Sequence, residues 1–137
     1  MQQILTIETR GRAFEMITAQ VANVVARSGV KQGLCNVFLR HTSASLLITE
    51  NADPAVRRDL ERFMQRIAPD GSPEYEHDTE GPDDMPAHIR NALTASSICV
   101  PIVEGRLGLG TWQGIYLWEH RTSRHSREVI VTVVGER

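Results

Sequence analysis

The run Val129-Ile130-Val131-Thr132-Val133-Val134 constrains the fold more than any other stretch. It is β-branched or apolar at every position, so both faces of the strand it forms are expected to be covered. A strand of that kind sits inside a sheet, and the rest of the chain must supply its neighbours. Residues 3–8 alternate enough for a short strand, ended by Gly11. Residues 34–41 form another. Cys35, Val37 and Leu39 share one face there, and a period of two puts His41 on that face too. Leu46 to Thr49 makes a further strand. Residues 97–103 make another, where Pro101 predicts an edge or a bulge.

Three helices are expected between these strands. The first is capped by Thr18, carries Val21, Val24 and Val25 inward and stops at Gly29. The second starts at Asp53-Pro54, a cap followed by a first-turn proline. Val56, Leu60, Phe63, Met64 and Ile67 then recur at helical spacing. The third starts at Asp83 or Asp84 and turns Met85, Ile89, Ala92 and Leu93 to one side. Strands and helices do not alternate strictly. The expected class is therefore a single-domain α+β fold, with one mixed or mainly antiparallel sheet packed against three helices.

Composition excludes some functions. A net charge of −2 over 137 residues offers no global field for nucleic acid. No run is long and apolar enough to span a membrane, and the start has no signal-peptide pattern, so a cytoplasmic protein is expected. Two cysteines, Cys35 and Cys99, lie in apolar runs and read as buried free thiols.

The residues with chemistry to offer fall into a few groups. Gly108, Gly110 and Gly114 frame Thr111, Trp112 and Gln113, an indole and an amide suited to a binding wall. The strand after them ends on Glu119, His120 and Arg121. His77 lies in a carboxylate-rich loop over residues 74–84, and His88 follows on the next helix. With His41 they would give three imidazoles around an open position, the way a divalent zinc, magnesium or manganese ion is held for catalysis. Asp83 and Glu119 are the candidate catalytic carboxylates. Thr42 and Ser43 offer hydroxyls for a phosphate, Arg121 a guanidinium fork, and Asn51 a ligand contact or a helix cap.

These residues resemble the YjbQ family. The resemblance rests on Gly108-Leu109-Gly110-Thr111-Trp112-Gln113-Gly114-Ile115, preceded by Ser97, Pro101 and Gly105. It rests too on His41-Thr42-Ser43-Ala44-Ser45, on Glu50-Asn51-Ala52-Asp53-Pro54, and on His77-Asp78 through Pro86-Ala87-His88-Ile89. It implies a compact α+β protein that assembles as a homotrimer, with a metal or anion pocket near the histidines. His41, His77 and His88 fall in its histidine blocks; Trp112, Gln113 and Glu119 fall in its Trp-Gln block. It also implies a secondary thiamine-phosphate synthase, joining a pyrimidine methyl diphosphate to a thiazole phosphate. The alternatives are a metal-dependent hydrolase or lyase of a phosphorylated small molecule, and a protein that only binds one.

Overall fold

A computed structural model describes residues 1–137. Eight strands and three helices follow one another as β1 (Gln2–Thr9), β2 (Ala13–Met16), α1 (Thr18–Ser28), β3 (Gln32–Leu39), β4 (Ala44–Glu50), α2 (Pro54–Ile67), α3 (Asp84–Leu93), β5 (Ser97–Val103), β6 (Arg106–Leu107), β7 (Gln113–Glu119) and β8 (His125–Glu136). The class is α+β, and every strand pair is antiparallel. The expectation of one sheet is corrected: there are two, of order β1-β8-β3-β5-β6 and β2-β7-β4.

β8 does lie inside its sheet, between β1 and β3. Val129, Val131 and Val133 are buried, whereas Ile130 and Thr132 are half-buried and Val134 is exposed, so this chain covers only one of the two faces. That buried face meets Cys35, Val37 and Leu39 of β3, Leu46 of β4, and Ile115 and Leu117 of β7 in one core, which α1 completes with Val21, Val24 and Val25. Pro101 lies one residue before β5 pairs with the two-residue β6, near the sheet edge as expected, and its carbonyl accepts the Gly108 amide at 2.7 Å. Cys35 is buried but Cys99 is exposed, because alternate residues of β5 face outward.

The helix starts separate local from distant chemistry. Asp53 caps α2 by accepting from the Ala55 amide at 2.9 Å, with Pro54 next. Thr18 lies inside α1 instead of capping it, because its hydroxyl accepts from the Ile115 amide at 2.8 Å. The expected apolar face of α3 is corrected too. The buried side is Asp84, Pro86, Ala87 and Arg90, while Leu93 is exposed. Hydrogen bonds hold that side down: Asn91 Nδ2 donates to the Ala44 carbonyl at 2.7 Å and Arg90 Nη1 to Glu61 at 2.8 Å. α2 keeps its apolar stripe, yet Phe63 and Ile67 are exposed.

β3 and β8 approach closely where Gly33 faces Gly135. A Cβ on Gly33 would stand 2.0 Å from the Val134 carbonyl oxygen, which is backbone and cannot swing away. Gly33→Ala is expected to cost about 1–3 kcal/mol of stability in urea unfolding, as an overpacked position does.

Candidate functional site

At the N-terminus of α3 two imidazoles and a carboxylate converge. Asp84 and His88 are four apart on the helix and so share a face. The loop before α3 returns His77 to the same place. His77 Nε2 lies 2.6 Å from Asp84 Oδ2, and His88 Nε2 lies 3.1 Å from the same oxygen. The three ligand atoms are all within 4.8 Å of one another. Asp84 is buried, His88 half-buried and His77 exposed, so the cluster opens to one side.

The surroundings aim these groups. The Thr42 carbonyl lies 2.9 Å from His88 Nδ1, which leaves Nε2 pointing at Asp84. Arg121 Nη1 holds the other Asp84 oxygen at 2.8 Å. This is the outer support that metal-binding histidines and carboxylates usually have. The Asp84 hydrogen bond raises the His77 pKa, and its other carboxylate neighbour, Glu80, adds to that. Burial alone would raise the Asp84 carboxyl; the histidines, Glu80 and Arg121 outweigh it and hold it below its ordinary value.

The expected metal ligands are therefore only partly brought together. His77 and His88 meet, but His41 stands outside the cluster. Its Nε2 accepts the Glu128 amide at 2.8 Å. Asp84, read from sequence only as a helix cap, takes the third place. The signal was available in the four-residue step from Asp84 to His88.

The two candidate catalytic carboxylates are both engaged, Asp83 through one oxygen and Glu119 through two. Asp83 Oδ2 accepts from Arg121 Nε at 3.0 Å, the Thr122 amide at 2.8 Å and the Thr122 hydroxyl at 3.1 Å. Burial opposes ionisation there, but these bonds prevail and bring its pKa down to about 2. Glu119 is buried between the sheets. It accepts from Thr9 Oγ1 at 2.7 Å, Arg127 Nε at 2.8 Å, Arg127 Nη2, and the Arg121 amide at 3.1 Å. Burial pushes its carboxyl up and these donors, Arg127 first, bring it down further than that. Both oxygens of Glu119 are occupied, so it reads as a structural anion; all three bonds to Asp83 fall on Oδ2, and that oxygen serves to hold Arg121 and Thr122.

The remaining candidates divide by position. Thr42 borders the cluster through its carbonyl, and Ser43 Oγ accepts from Arg127 Nη2 at 2.9 Å. Arg121 also donates from Nη2 to the Glu80 carbonyl at 2.9 Å, so all three of its nitrogens are taken. Asn51, Trp112 and Gln113 lie at the opposite end of the β4–β7 pair, where Glu50 faces Gln113; Ala44 faces Glu119 at the site end. Six residue steps along β7 separate the ends by about 20 Å. Trp112 is 63% exposed on a turn stabilised by Gln113 and Asn51, so within one chain it walls no histidine cavity.

Sequence reasoning gave His120 no role. It is fully buried beside Trp118, 5.0 Å between ring centroids, and its Nε2 lies 2.9 Å from Ser45 Oγ. Its Nδ1 has no partner, nor do Nε and Nη2 of the buried Arg90.

A small α+β protein with a His-Asp-His cluster at a helix start is thus the class the fold and site define. The chain belongs to the YjbQ family: the family described as UPF0047 protein YjbQ-like matches residues 3–136. A UPF0047 protein of Synechocystis is 58% identical over 135 residues, covering 98% of this chain and 92% of that one. UPF0047 protein YjbQ of Escherichia coli is 46% identical and covers 98% of each. An uncharacterised conserved family protein from Clostridium acetobutylicum superposes with a TM-score of 0.89 at 38% identity, covering 96% of this chain and 99% of that one. A conserved hypothetical protein from Thermus thermophilus gives a TM-score of 0.86 at 32% identity, with the same coverage. No helix here is long and apolar enough to cross a membrane.

Burial, and then the charges of Arg90, Arg12 and Arg127, lower the His120 pKa to about 3. The unfolded chain binds that proton near pH 6.5 and the folded one does not, so stability falls as pH drops from about 6.5 to about 3. His120→Gln is expected to remove up to about 1.4 kcal/mol per pH unit of that slope in urea titrations.

Proposed function

We propose that this chain is a divalent-metal enzyme acting on a phosphorylated small molecule, with the ion held by His77, Asp84 and His88. The observation that carries the reading is the convergence of their three ligand atoms on one spot, with His88 and Asp84 each oriented from behind by Thr42 and Arg121. Two imidazoles and one carboxylate on one side of an ion leave coordination positions open. Imidazole favours zinc over magnesium, and the carboxylate also suits manganese. Such an ion supplies Lewis acidity toward a phosphoryl oxygen and activates water. A hydrolase or lyase needs little more than this.

The thiamine-phosphate synthase reading uses the same ion, set against the diphosphate that leaves. It rests on what the sequence resemblance implies. It also needs an aromatic wall and a free cation for the substrates. Trp112 lies at the far end of the sheet and every Arg121 side-chain nitrogen already binds a carboxylate or carbonyl, so those parts would come from elsewhere on the molecule. The homotrimer belongs to this proposal as well. It is supported by the apolar residues Ile4, Leu34, Phe38 and Val134, left exposed on the first sheet's outer face.

Protein purified without chelating resin is expected to carry about one divalent ion per chain. Zinc or manganese at about 100 times its Kd should add ~2.7 kcal/mol of stability. Asp84→Asn and His88→Ala should lose the ion, whereas His41→Ala should keep it. Phosphate release from phosphorylated substrates, against coupling of the pyrimidine and thiazole substrates, then separates the two reactions. An ion-free protein whose melting ignores both metals would overturn the reading. Light scattering is expected to give three times the chain mass, and a monomer would contradict the assembly.

A further inference from the structure

A second cavity, with a volume of about 500 Å³, lies between α2 and β2 and shares no residue with the His-Asp-His cluster. Its walls bring together Arg12, Phe14, Arg57, Arg58, Glu61 and Arg62. On α2 the charged residues step at i, i+1, i+4 and i+5 and so line one face. Four guanidinium groups against one carboxylate make a wall of formal charge +3, since 4 − 1 = 3, on a chain whose net charge is −2.

The lone carboxylate is already used. Both Glu61 oxygens accept from Arg90 Nη1, at 2.9 and 2.8 Å, and Oε1 also faces Trp118 Nε1 at 3.3 Å. Behind it, Arg90 is fully buried with two nitrogens unpartnered, so Glu61 neutralises the interior and not the cleft. Arg12 is tied off by Asp70 at 2.9 and 3.0 Å. Arg57 is fixed through Nη1 alone, by the Glu50 carbonyl and the Tyr116 hydroxyl, both at 3.0 Å, and its guanidinium lies 5.0 Å from the Tyr116 ring centroid. The rest of its fork is left for a ligand. Arg62 touches only exposed Asp59, at 3.3 Å, a contact of little strength. Arg58 makes no ion pair or side-chain hydrogen bond.

The cleft also has an aromatic surface. Phe14 is stacked on Trp118 with 4.3 Å between centroids and is only half-buried, so the ring is held flat with part of it accessible. A preset guanidinium, two exposed ones and a fixed ring within one volume match an anion that carries a planar group. The charge surplus favours a dianion over a monoanion.

We propose that this cleft binds a phosphate monoester bearing a planar ring. Phosphate oxygens pair with Arg57, Arg58 and Arg62, and the ring packs on Phe14. The site stands whether or not the histidine cluster holds a metal.

The test is a nuclear magnetic resonance titration of the whole protein with phenyl phosphate, inorganic phosphate and benzoate. Phenyl phosphate is expected to saturate and to bind at least about tenfold more tightly than either other probe. Its shifts should fall on Phe14 and the arginine side chains of α2. Arg58→Glu combined with Arg62→Glu should weaken it at least about tenfold with an unchanged melting temperature. Phe14→Leu should bring phenyl phosphate down to the level of inorganic phosphate, and His88→Ala should change nothing. Absence of saturation by about 10 mM would overturn the proposal. So would shifts confined to His77 and His88, or charge reversal without effect.

Discussion

The structure depends on one buried carboxylate. Glu119 ends β7 in the second sheet, and the groups that satisfy it come mainly from the first: Thr9 of β1 and Arg127 of β8. Ser43, just before β4, shares the same guanidinium. The two sheets are thus joined at one end by charge as well as by the apolar core. A buried ion pair tolerates no vacancy, because removing one partner strands the other at a cost of about 3–5 kcal/mol. Four donors around Glu119 meet that condition. The same arrangement sets where the site can form. The Arg121 amide bonds Glu119, and the Arg121 side chain aligns Asp83 and Asp84. Sheet joining and site construction are consecutive links of one hydrogen-bonded chain.

What the sequence revealed follows the range of each interaction. Asp53-Pro54 marked α2 because a cap is satisfied two residues away. Gly29 marked the end of α1 because its left-handed φ of 73° is a local need. The terminal run was legible as an interior strand from its own side chains. The misread elements were settled from far away. Thr18 gave its hydroxyl to Ile115, 97 residues on. α3 turned a polar face inward because Ala44 and Glu61 wait for Asn91 and Arg90. No periodicity can report such partners. The division into two sheets was invisible for the same reason, since it depends on which strands pair.

The site shows the same division. Counting imidazoles selected His41, whose ring is taken by a backbone amide 87 residues away. Laying residues 84–93 on a helix would have selected Asp84 with His88, a local inference. His77 joins them through a loop, and its place depends on contacts that no spacing encodes. Trp112 looked like a wall because glycines framed it, yet those glycines shape an exposed turn.

The arginines then fall into two populations. Arg90, Arg121 and Arg127 are withdrawn from solvent and each is bound to a carboxylate: Glu61, the Asp83–Asp84 pair, and Glu119. They orient acids; Arg90 keeps two unpartnered nitrogens, but it is fully buried and out of a ligand's reach. Arg57, Arg58 and Arg62 have donors in reserve on an open cleft. An anionic substrate reaching the His-Asp-His cluster therefore meets no free guanidinium among the groups that build it. Under the proposed function, that charge would fall to the ion held by His77, Asp84 and His88. On the proposed reading, the ion and not Arg121 would then be the electrophile toward a phosphoryl oxygen, with His77, Asp84 and His88 holding it.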